Sequence, residues 1–166
     1  MQAWSSYYAT IGGAAATLLG LLFVAVSVNA SAALGAADPL TRGMTEQAFQ
    51  NYLAVLLVAL LAEFPGLPAS AFGWICLVTV SSRGVYVGVR LFETFRRRAP
   101  RQSFVFVLRR HVAAVAGFGM LLAAAARMAL YNGADYNLLA AATLVLMFSA
   151  VTVSWELLRR IANPPT

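Results

Sequence analysis

One histidine, His111, one cysteine, Cys76, six carboxylates and twelve arginines are the whole stock of ionisable side chains suited to acid–base or metal chemistry in these 166 residues. Hydrolysis or group transfer needs a nucleophile with a base in reach, or converging acid–base groups. His111 belongs to "RRH", where two cations precede it, so no Ser/His/Asp grouping is credible. Cys76 alone makes no disulfide, Cys-x-x-Cys pair or thiolate cluster, and one His with scattered acids falls short of a usual metal ligand set. Without a single Lys there is no phosphate-binding Gly-Lys loop. The expectation is no enzyme, no cofactor and no metal.

One charge stands out by its surroundings. Arg83 lies inside "VTVSSRGVYVGVR" (residues 78–90), a run otherwise suited to lipid. A charge at the centre of a bilayer costs about 2.5–3.5 kcal/mol on insertion scales, so it normally faces protein and finds partners. What could partner it depends on the elements around it.

Those elements are set by composition. The chain is 61% hydrophobic and 11% charged, and its mean hydropathy is +0.75. A soluble domain usually has about a quarter of its residues charged. Five apolar runs, about 7–31, 45–64, 69–92, 112–131 and 136–158, each approach the ~20 residues that cross a bilayer core. They lack the strict alternation of a membrane barrel. The reading is an all-α, polytopic transmembrane helical bundle of about five spans, one domain over 1–166. Met1–Thr10 has no basic residue and the first apolar run is long for a signal peptide, so a retained first helix is expected. No internal repeat or low-complexity segment interrupts this layout.

Arginine orients the bundle. Seven of the twelve fall between Arg90 and Arg110, and Arg159 and Arg160 close the last span. Short loops rich in basic residues stay in the cytoplasm. The loop 93–111 and the C-terminus are therefore expected inside and the N-terminus outside. Trp4, Tyr7, Tyr8, Trp74, Tyr131 and Tyr136 then fall near the outer interface, with Phe92, Phe95 and Trp155 near the inner one. Arg96, Arg97, Arg98, Arg101, Arg109 and Arg110 are either topology determinants alone or also contacts to anionic headgroups. No recognition module accompanies them, so nucleic acid is not an expected partner.

This orientation puts Arg83 in the inner half of the third span, ~10 Å above the boundary marked by Arg90. Asn29, Glu46, Gln47, Asn51, Tyr86 and Glu156 come from the same inner third, with Glu46 or Glu156 as counter-ion. Three roles stay open for this cluster: a binding site or gate, a tie between helices, or an arginine snorkelling to headgroups. Arg127 near the outer end of the fourth span has Glu63 and Asp135 on its side, which points to an outer salt bridge. Small residues mark helix contacts in lipid. Gly12, Ala16 and Gly20 form one stripe, and Gly84 and Gly88, extended by Ser81 and Gly73, form another. Pro65 and Pro68 bracket a tight outer turn.

The first 66 residues also carry a resemblance. The pair Tyr7–Tyr8, the run Gly20–Ala25 ("GLLFVA"), Gln47 with Asn51–Leu53, and the exit Pro65–Gly66 resemble a family of small uncharacterised bacterial multipass membrane proteins of actinobacterial type. Some members bear the label modulator of FtsH protease. Glu63–Phe64 departs from the apolar pair more usual there, and later residues match mainly in helix layout and in "WELL". The resemblance implies a bacterial inner-membrane protein and no added chemistry. Together these features point to a non-enzymatic regulator or accessory subunit, which contacts lipid, another membrane protein or a second copy of itself. The alternative is a homo-oligomeric channel or small-solute transporter built around Arg83.

Overall fold

In the computed structural model every element described is an α-helix. The structure describes residues 2–30, 39–81, 101–131 and 135–162, with side chains for 4–30, 41–81, 112–131 and 135–162. The helices are α1 (Gln2–Val28), α2 (Pro39–Ala62), α3 (Ala69–Ser81), α4 (Arg101–Tyr131) and α5 (Tyr136–Ala162). Three of them are long and apolar enough to cross a membrane: α1 over Trp4–Val28, α4 over Val112–Tyr131 and α5 over its full length.

Two helices begin earlier than hydropathy suggests. The second starts at Pro39 instead of residue 45, and the fourth at Arg101 instead of 112, so residues 101–111 are helix and not loop. Hydropathy marks the part of a helix compatible with lipid, whereas the i→i−4 ladder continues as long as nothing breaks it. Pro39 suits a helix start because its missing N–H has no intrahelical partner there. At 31 residues, α4 is about 46 Å long, well beyond a ~30 Å hydrocarbon core.

The chain divides into two compact units, Met1–Glu63 with Leu146–Thr166, and Phe64–Val145. In the first, α1 packs along α2, and Leu22, Met44, Ala48, Tyr52, Ala150, Val153 and Leu157 form a buried cluster joined by Leu18, Leu19 and Val26. The buried side of α1 runs through Tyr8, Gly12, Ala15 and Leu22, with half-buried Leu19 and Val26 completing alternate steps of three and four. That is a seven-residue repeat, the seam of helices that stay in contact along their length.

In the second unit α4 uses the same spacing. Ala114, Phe118, Leu121, Ala125 and Met128 of α4 are buried, as are Phe72, Cys76 and Val80 of α3 and Leu139, Ala140 and Ala142 of α5. The turn into α3 is written in its residues. Leu67 N–H donates to the Phe64 carbonyl at 3.5 Å across Pro65–Gly66, and Gly66 has φ 76°. Pro at the second position and a left-handed Gly at the third are the requirements of a type II turn. Next, Pro68 accepts from Phe72 N–H at 3.0 Å and opens α3.

Asp135 performs the matching task for α5. Its carbonyl accepts from Leu139 N–H at 3.1 Å, and its carboxylate meets Arg127 Nη1 at 2.8 Å. The acid at a helix start and Arg159–Arg160 in the last turn both complement the helix dipole. The salt bridge expected of Arg127 is thus made with Asp135, while Glu63 accepts a hydrogen bond from Ser5 Oγ at 2.9 Å.

Candidate functional site

The polar residues of α2 fall on two sides of the helix. Asn51 faces α5: its Nδ2 donates to Ser149 Oγ at 3.2 Å, and both side chains are buried. One residue on, Tyr52 is buried with its hydroxyl accepting from Ser154 Oγ at 3.4 Å. The two bonds tie α2 to α5 within the first unit, among apolar neighbours that include Ala48, Ala150 and Val153. A buried amide left without a partner costs about 1–3 kcal/mol, so this seam fixes which residues of the two helices lie opposite.

Other candidates are engaged nearer home. Asn29 ends α1 by donating from both its backbone N–H (3.3 Å) and its Nδ2 (3.0 Å) to the Ala25 carbonyl. The last carbonyls of a helix have no intrahelical donor, and Asn29 supplies one where it was expected to reach a polar cluster. Glu46 accepts from Arg42 Nε at 3.1 Å, one turn earlier on α2. Glu156 lies 3.6 Å from both Arg159 and Arg160. Each carboxylate considered as counter-ion for Arg83 therefore has a guanidinium neighbour on its own helix. Gln47 is half-buried on α2.

Arg83, Tyr86, Gly84, Gly88, Arg96, Arg97 and Arg98 lie outside the described residues. Arg101, Arg109 and Arg110 belong to the first turns of α4, where only the backbone is described.

The small-residue stripes are met in part. Gly12 is buried, and a Cβ built there would stand 2.8 Å from Ala59 Cβ of α2. Ala16 and Gly20 are exposed, and a Cβ on Gly20 would meet nothing within 4 Å. Two successive steps of four rotate around the helix by about 80°, whereas contact follows steps of three and four, hence Ala15 and Leu19 take the inner positions. Likewise Val80 is buried and Ser81 exposed on α3. In the second unit Gly73 lies close against α4: a Cβ would come within 2.5 Å of Ala129 N and 2.7 Å of Ala125 O.

Several other hydroxyls bond to their own helix. Thr10, Thr17, Ser27, Thr45 and Thr79 each donate to the carbonyl four residues back, and Thr143 and Thr152 to the one three back. Such back-bonding lets a hydroxyl sit on an apolar face without asking for water. Ser149 and Ser154 were not singled out by sequence, because isolated Ser and Thr in an apolar run give no hint of which will reach across to another helix. Among the described residues, no three His, Cys, Asp or Glu side chains gather where a metal could be held.

On the other side of α2, a groove of about 280 Å³ opens between its first half and the second half of α1. Leu22, Phe23, Val26 and Phe49 make it apolar, and Thr45, Glu46 and Gln50 form its polar edge. Comparisons with protein families, with curated proteins and with solved structures find no match to the chain.

Proposed function

We propose that this chain is a multipass protein of the bacterial inner membrane that acts without catalysis, as a regulator or accessory subunit. Its five spans run from an outside N-terminus to an inside C-terminus, so residues 93–111 form the basic cytoplasmic segment. The observation that carries this reading is how the described polar groups are used. Asn51 and Tyr52 are matched to Ser149 and Ser154, and Thr10, Thr17 and Ser27 of α1 bond back to carbonyls of their own helix. A solute path would need polar groups turned toward an open lumen.

What these helices leave outward is apolar. Leu21, Phe23, Val24 and Val28 of α1 are exposed, as are Leu144, Phe148, Val151 and Trp155 of α5. Faces of this kind suit lipid or the helix of a membrane partner. The resemblance to proteins labelled as modulators of a membrane protease supports a protein partner. The arginines beyond Arg90 support contact with anionic headgroups at the inner surface.

Purification in mild detergent followed by mass determination tests this reading. A co-purifying membrane assembly is the expected result. A symmetric homo-oligomer that conducts ions in planar bilayers would overturn it in favour of a channel. Reporter fusions after residues 37, 66, 99, 133 and 166 test the topology separately, with alternating cytoplasmic and outer signals expected.

A further inference from the structure

Two contacts fix how α2 runs along α1. Ala59 stands against Gly12, while Thr45, Phe49 and Gln50 share one groove with Leu22, Phe23 and Val26. The two helices are therefore antiparallel, and Gln50 is about level with Leu22. The apolar run of α1 continues beyond that level to Val28. At 1.5 Å per residue, Gln50 thus sits ~9 Å inside the end of this run. Around the same level Leu21, Phe23 and Val24 of α1 are exposed, as a lipid-facing surface is. Nearby polar side chains of α2 are engaged: Thr45 donates to the Thr41 carbonyl, Glu46 accepts from Arg42 Nε, and Asn51 donates to Ser149. Half-buried Gln50, at the edge of the groove, has no such bond among the described residues. A primary amide carries two donors and an acceptor, and hydrocarbon satisfies none of them. Such a group at this depth draws helices together by finding a polar partner.

We propose that the partner is a second copy of this chain, joined across a two-fold axis along the membrane normal. Copies inserted the same way present equal residues at equal depth, so this axis brings Gln50 to the partner's Gln50. Each Nε2–H donates to the other Oε1, and one contact satisfies both amides. The partner's Phe49, one residue away, covers the apolar groove. Complementarity of donor and acceptor selects this occupant. An acyl chain offers neither, and lipid esters lie at the boundary of the hydrocarbon, ~9 Å away. A charged partner finds no free charge beside the amide, because Glu46 already holds Arg42 at 3.1 Å. A different protein would have to bring a matching polar group to this depth, whereas a second copy brings one by symmetry. The contact rests on α1 lying in a membrane, and on neither its orientation nor the number of spans.

Fluorescence energy transfer between labelled full chains in liposomes tests this, with the protein-to-lipid ratio varied. A reversible dimer is expected. Gln50→Leu is expected to weaken it about tenfold, the factor one amide contact between membrane helices supports. Gln50→Asn, which keeps the amide on a shorter stem, is expected to weaken it less. Phe49→Cys combined with Cys76→Ala is expected to link two chains through a short bifunctional reagent. Phe148→Cys, on the exposed face of α5, is expected not to, and this pair decides the matter if Gln50→Leu fails to fold. Chains monomeric at every ratio, an affinity unchanged by Gln50→Leu, or linking through Phe148→Cys in place of Phe49→Cys would each overturn the dimer. Carbonate extraction separates the two claims. A monomer retained in the membrane overturns the dimer alone, whereas a chain released by carbonate overturns the membrane reading and the dimer with it.

Discussion

Gly12 and Gly73 both allow a helix to approach its neighbour, but they meet different obstacles. At Gly12 the atom in the way of a Cβ, among the described residues, is another Cβ, that of Ala59 at 2.8 Å. At Gly73 the obstacles are backbone atoms of α4, Ala129 N at 2.5 Å, Ala125 O at 2.7 Å and Ala129 Cα at 2.9 Å. A methyl group can be traded away by a second substitution. A backbone in a helical ladder cannot be, since its hydrogen bonds would have to move with it. The first unit thus touches side chain to side chain at its glycine, and the second touches side-chain position to main chain.

The comparison predicts a graded series. Gly73→Ala is expected to be the most damaging, at about 3 kcal/mol, the upper end for overpacking, with no single compensating change on α4. Thermal unfolding in detergent measures it, and a variant as stable as the parent would break the contrast. Gly12→Ala is expected to cost about 1–2 kcal/mol. The double variant Gly12→Ala with Ala59→Gly is expected to recover most of that loss apart from the helix penalty of the new glycine. Failure of this rescue would mean that more than one methyl opposes the contact.

The seam between α2 and α5 sharpens the contrast through its two partners. Ser149→Ala leaves a buried amide without its acceptor and is expected to cost about 1–2 kcal/mol. Asn51→Leu leaves a serine that can bond back to its own helix, so it is expected to cost nearer 0.6 kcal/mol, about the mean for hydrogen bonds between membrane helices. Equal losses in reversible unfolding would contradict that asymmetry. Arg127→Gln, breaking an ion pair whose guanidinium is 66% exposed, is expected to cost less than about 1 kcal/mol, with the loss shrinking as salt is raised. At the bottom of the series, Gly20→Ala is expected to be neutral or stabilising by up to about 1 kcal/mol, since nothing opposes the added methyl.

Hydropathy and burial also part company between α1 and α2. The most apolar window of α1 is only 17% buried, whereas α2, with Arg42, Glu46, Gln47 and Asn51 in its first half, contributes Met44, Ala48, Asn51, Tyr52, Val55 and Val58 to the interior. In a soluble protein the most apolar helix is usually the most buried. A bilayer removes that link, because lipid is as apolar as a core and packing small and matched polar groups decides what goes inside. This is why Gly12 could be read from the sequence as a contact while Ala16 and Gly20 could not be separated from it.

The sequence alone determined the helical class, because long apolar runs have to satisfy their backbone internally. It also determined a tight turn bracketed by Pro65 and Pro68, because proline ends helices, and a salt bridge for Arg127, because Glu63 and Asp135 fall on its side; the structure chose Asp135. Tertiary structure alone decided that Asn51 meets Ser149, that Asn29 closes its own helix, and that Gly73 lies against a backbone. Each of those depends on how one helix is rotated against another, and in an apolar chain rich in Ala, Leu and Val many rotations present nearly the same surface. Only the packed structure, where a few tenths of an ångström separate contact from clash, distinguishes them.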